Sequence, residues 1–66
     1  MTKEQAVEFV KTNAPGYIGG QEIIHKATDE EIIYLIELQD KIAGLINEAE
    51  ELERRKDNLR RVIQRR

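Results

Sequence analysis

All six arginines of this chain, Arg54, Arg55, Arg60, Arg61, Arg65 and Arg66, fall within its last thirteen residues. A guanidinium presents a fork of N–H donors that matches phosphate oxygens two at a time. A single tyrosine, Tyr17, stands in the loop Pro15-Gly16-Tyr17-Ile18-Gly19-Gly20, where glycines would let its flat ring close over a base. Tyr17 with Arg54, Arg55, Arg60 and Arg61 is thus a candidate set for an anionic, ring-bearing, nucleotide-like ligand. Plainer roles compete. The arginines also suit a solvated, self-pairing helix end, and Tyr17 with Ile18 suits a loop packed on a bundle.

Other chemistry is poorly provided for. The chain has no cysteine and no serine, and His25 is its only histidine. Thiol chemistry, serine triads and zinc sites built from Cys and His within one chain are excluded. Asp29, Glu30 and Glu31 resemble metal ligands, but three acids in the first turn of a helix serve its dipole. The glycine loop has neither the lysine nor the spacing of a phosphate-binding P-loop. With no activated nucleophile and no matched acid–base pair, the expectation is a non-enzyme without a cofactor.

Charge is unevenly spread. Residues 1–53 carry four basic against twelve acidic groups, a sum of −8, and residues 54–66 carry seven basic groups against Asp57 alone, a sum of +6. The acidic part would repel a duplex backbone, so a nucleic-acid-binding regulator ranks third among the readings. No apolar run approaches a membrane span, and the N-terminal residues do not resemble a signal peptide. A cytoplasmic protein is expected, with no membrane partner.

These residues must be positioned by helices. Thr2 with Gln5 forms a capping-box pattern before a short helix carrying Ala6, Val7, Phe9 and Val10. Ala14 precedes Pro15 and is pushed out of the α region, which ends that helix. Residues 21–27 suit strand or helix, and Glu22 with Lys26 at i,i+4 favours helix. Thr28 with Glu31 is a second capping box. From Asp29 to Arg66 there is no proline and one glycine, Gly44.

Steps of three and four residues from Leu35 pick out Leu35, Leu38, Ile42, Leu45, Ala49, Leu52, Lys56, Leu59 and Ile63. This a/d seam is apolar at every position but Lys56. Acid-first i,i+4 pairs, Glu37–Lys41, Glu50–Arg54, Glu51–Arg55 and Asp57–Arg61, favour one helix over residues 28–66, with Lys56-Asp57-Asn58 as the alternative break. A 38-residue helix spans about 57 Å, more than residues 1–27 can cover. The seam residues other than Lys56 are therefore expected to form an oligomer interface. Antiparallel pairing would set Glu48 against Arg55 and Glu53 against Arg60, whereas parallel pairing opposes like charges. The expected fold class is all-α: a short N-terminal helix, a glycine-rich loop and a long coiled-coil-like helix, assembled as one domain into a dimer or a dimer of dimers.

Phe9, Ala14-Pro15 and Gln21, in a loop between a short helix and a long one, resemble the start of the small phage anti-defence (anti-CBASS type) cyclic-nucleotide sponges. That resemblance spans residues 9–21, with Thr12-Asn13 where the family has an aromatic–His pair. It implies an oligomer of helical hairpins that sequesters a nucleotide messenger at subunit boundaries. The expected function is a non-enzymatic oligomeric regulator or inhibitor that sequesters an anionic nucleotide-like ligand. The alternative is an adaptor that binds a protein through the Tyr17–Ile18 loop or the apolar stripe.

Overall fold

The computed structural model describes residues 2–44 and 49–66, and the described residues form four α-helices and one 3-10 turn, with no strand. Helix α1 (Lys3–Asn13) starts at the expected capping box: the Gln5 amide donates to Thr2 Oγ1 at 3.1 Å, and the Thr2 amide donates to Gln5 Oε1 at 2.9 Å. It stops at Ala14, whose backbone leaves the helical region before Pro15. Pro15–Tyr17 make a 3-10 turn, closed by the Gly20 amide donating to the Pro15 carbonyl at 2.8 Å. Gly19 and Gly20 both have positive φ, +133° and +103°, which L side chains rarely adopt. Helix α2 (Gln21–Lys26) follows, with the Glu22–Lys26 pair formed at 3.2 Å. The segment 21–27 that was open between strand and helix is therefore helical up to Lys26.

The expected single helix over residues 28–66 is corrected. The chain instead forms α3 (Asp29–Gly44) and α4 (Ala49–Gln64), sixteen residues each. They run antiparallel: Lys56 Nζ donates to Gln39 Oε1 at 2.8 Å, and the Arg66 guanidinium makes two 2.6 Å bonds to the Glu31 carboxylate. The alternative break at Lys56-Asp57-Asn58 is corrected too, since those residues lie inside α4. The Thr28–Glu31 box does start α3, with amide-to-side-chain bonds of 2.9 and 3.2 Å. Of the acid-first pairs, Glu51–Arg55 forms at 3.0 Å, and Asp57 instead approaches Arg60 at 3.8 Å.

Folding back changes what the seam is for. Leu35, Leu38, Leu52 and Ile63 are buried within the one chain, and Ile42, Ala49 and Leu59 are half-buried; Leu45 lies outside the described residues. The heptad period was right in phase, but the surface that covers it is the chain's own. The physical reason is entropic. Residues 29–44 and 49–64 belong to one chain, so covering the stripe within it avoids the translational and rotational entropy lost on recruiting a second chain. The radius of gyration is 11.3 Å and the longest extent 30 Å, roughly half the length of the helix expected.

Helix α1 lies against α3, and α2 against α4. Lys3–Glu37 at 3.7 Å and Lys11–Asp29 at 3.0 Å show that α1 is antiparallel to α3. The core gathers Val7 and Val10 from α1, Ile18 and Ile23 from the loop and α2, Ile32 and Leu35 from α3, and Ile63 from α4. Five of these (Ile18, Ile23, Ile32, Leu35 and Ile63) are essentially inaccessible, each contributing about 1.5–3 kcal/mol relative to exposure. No described helix is long and apolar enough to cross a membrane.

Candidate functional site

The expected ligand residues do not converge. Tyr17 ends the 3-10 turn, and its hydroxyl donates to Asp40 Oδ1 on α3. With Ala6, Phe9, Val10, Ala14, Ile36 and Asp40 it lines a mainly apolar hollow of about 260 Å³. A second hollow of about 160 Å³, lined by Thr2, Lys3, Ala6, Ile33, Ile36, Glu37 and Asp40, adjoins the first and shares Ala6, Ile36 and Asp40 with it. Together they make a groove between α1 and α3. The hydrogen bond to Asp40 comes first among the causes that raise the Tyr17 hydroxyl above its ordinary pKa; burial and the nearby negative charge add to it.

Arg60 and Arg61 line a different, polar hollow of about 210 Å³ on α4, with Asp57 and Gln64. Arg55 is held by Glu51, and Arg54 is exposed; neither lines this hollow nor the groove. Arg60 is not a free phosphate fork. A Cβ built on Gly19 would stand 2.6 Å from Arg60 Nε, so the side chain lies flat on the glycine backbone. Its Nε is buried there without a hydrogen-bond acceptor. Gly19 is thus required twice, by its φ and by the closeness of Arg60 and of Ile23, whose Cγ1 is 2.9 Å from the same point. Arg60, expected to meet Glu53 of a second chain, approaches Asp57 of its own chain at 3.8 Å; Glu48 lies outside the described residues.

The remaining polar candidates have structural partners. Asp29 receives Lys11, and Glu31 receives Arg66 while capping Thr28. His25 is exposed in the last turn of α2. Lys26 Nζ donates to the Gln64 carbonyl at 3.0 Å, and Arg66 donates to the Lys26 carbonyl at 3.3 Å, so the end of α4 is tied to α2.

Phe9, Ile36 and Asp40 are groove residues that the sequence reading did not assign to a site. The signal was present in α1. Val7 and Val10 at i,i+3 turn to the core, whereas Ala6 and Phe9 form a second i,i+3 pair one step round the helix. Phe9 keeps 51% of its surface and Tyr17 39%, so both rings border the groove without filling it. On the same side of α1 the neighbouring residues Thr2, Gln5 and Asn13 are uncharged, in a chain whose charged content is 36%. Aromatic side chains and a scarcity of charge mark the centre of protein interfaces. Comparison with protein families, with curated proteins and with solved structures finds no match to this chain.

Proposed function

We propose that the protein is a small binding protein that acts by holding a protein partner in the groove between α1 and α3, without turnover. One observation carries this reading: two half-exposed rings, Phe9 and Tyr17, border a mainly apolar hollow with the carboxylate of Asp40 in its lining. The chemistry of the groove selects its occupant. Ala6, Phe9 and Ile36 accept an apolar anchor, and burying a Leu-sized side chain there contributes about 1.5–3 kcal/mol. Asp40 accepts only one bond from Tyr17 and keeps lone pairs for a cationic donor. An amphipathic helix with basic flanks satisfies both demands.

Sequestration of an anionic, nucleotide-like ligand is the second reading. It rests on the resemblance in residues 9–21 and on the hollow that holds Arg60, Arg61 and Gln64. Against it, the stacking ring and the guanidiniums line separate hollows of the chain, and the carboxylates Asp40 and Glu37 beside the groove disfavour an anion there. Self-association, expected along the seam, would have to use the outer surface, because most of the seam side chains are covered within one chain.

Amide chemical shifts distinguish the two. Titration with a synthetic Leu/Lys amphipathic peptide should perturb Ala6, Phe9, Ala14 and Tyr17, and Phe9→Asp should abolish the effect. Titration with cyclic dinucleotides should leave those residues unmoved. Perturbation by nucleotides at Arg60, Arg61 and Gln64, with no response to the peptide, would reverse the order of the readings.

A further inference from the structure

The outer face of α4 carries a second feature that the groove leaves unexplained. Arg54, Asn58, Arg61, Val62 and Arg65 recur at intervals that place them on one stripe of the helix, opposite the buried Leu52 and Ile63. All five are exposed, and Val62 keeps 52% of its surface. Arg54, Arg61 and Arg65 make no ion pair with any described residue, unlike Arg55, Arg60 and Arg66. An exposed valine flanked by three such arginines puts one apolar side chain in a basic stripe, which matches the apolar hollow and the Asp40 carboxylate of the groove.

We infer that the groove's partner is a second copy of this chain, whose α4 stripe docks between α1 and α3 head to tail. The inference rests on the protein-binding reading of the groove and names its occupant. Dimensions agree: Arg54 to Arg65 covers twelve residues, about 16 Å of helix, and the groove's lining runs along α1 from its cap Thr2 to its cap Ala14, about 18 Å. Charge agrees as well. Lys3 is offset by Glu37, so Asp40 leaves the groove net negative, which suits Arg54, Arg61 and Arg65 of another copy. Val62 supplies the apolar anchor beside Phe9 and Tyr17. Because the two surfaces differ, each copy offers one donor stripe and one acceptor groove, which builds a ring or an open chain.

Mixing experiments test this contact by its asymmetry. Sedimentation of the wild type at low salt should show assembly that grows with concentration and is lost at high salt. Phe9→Asp, which damages only the groove, and the double variant Arg61→Glu with Arg65→Glu, which damages only the stripe, should each weaken assembly by roughly 30-fold or more, as for loss of an interface hot spot. Both should keep wild-type helicity in circular dichroism, since these positions are exposed. Mixed in equal amounts, the two variants should form a heterodimer of twice the 7.7 kDa chain mass and go no further, because one intact groove and one intact stripe remain. A wild type that stays monomeric at millimolar concentration in low salt would overturn the inference. So would assembly that survives the stripe variant but not Phe9→Asp, which indicates grooves pairing with each other, and so would a mixture that remains monomeric. In each of these cases the peptide titration still reads the groove on its own, so the two conclusions fail separately.

Discussion

Tyr17 takes part both in a surface hollow and in the tie between the 3-10 turn and α3. Its ring is part of the groove wall, and its hydroxyl, donating to Asp40, ties the 3-10 turn to α3. The same bond holds the hydroxyl proton more tightly, raising its pKa in the folded state. The sign of the linkage follows. The neutral tyrosine contributes stability that is fully present below the ordinary value near 10, and that stability fades as pH rises through the higher folded value. Asp40→Asn removes the negative acceptor, so Tyr17 should then ionise nearer the ordinary range. Ultraviolet absorbance of tyrosinate against pH, with Tyr17→Phe to identify the component, should show the shift. An unchanged titration in Asp40→Asn would mean that the bond does not persist in solution.

At the level of elements, the decisive feature is the reversal of direction between α3 and α4. One helix and two helices share the same a/d stripe, the same capping box and the same kind of i,i+4 ion pair, yet they place distant residues very differently. Spin labels at Glu30 and Arg65, both exposed, measure this directly. A continuous helix would separate these positions by about 52 Å. In the hairpin the neighbouring residues Glu31 and Arg66 are hydrogen-bonded, so the labels should lie within about 20 Å, allowing for tether length on a helix diameter of 10–12 Å. The measurement is best made on dilute chains mixed with an excess of unlabelled protein, so that only distances within one chain are read.

For the molecule as a whole, the ends are held by charge. Arg66 joins Glu31 of α3 to the Lys26 carbonyl of α2, and Lys26 reaches back to the Gln64 carbonyl of α4. Hydrogen bonds from Arg66 first, and from the Thr28 backbone second, lower the Glu31 pKa below its ordinary value. The corresponding stability is present above the ordinary glutamate range and is lost as pH falls through the depressed folded value. Glu31→Gln should therefore lower the melting temperature at neutral pH and remove part of the loss of stability on acidification. A wild type and a variant that melt in parallel from neutral to acidic pH would show that the clamp contributes nothing. The effect belongs to this scale because Arg66, at the end of α4, links α2 and α3.

Much of the local structure was legible in the residues. Both capping boxes, the break before Pro15, the glycine turn and the phase of the apolar seam depend on neighbours within four positions, so sequence alone determines them. It also determined that the chain itself cannot supply thiol, serine or cysteine-based zinc chemistry, since it has no cysteine and no serine. Three things were decided only by the tertiary structure. The seam folds onto itself, because an apolar stripe specifies that it must be covered and not by which chain. Tyr17 and the arginines part company, because the loop turns its ring to Asp40 and Ile36 while Arg60 lies on Gly19. Phe9 stays outside, because packing α1 on α3 can bury only one side of a helix, and Val7 and Val10 take that side.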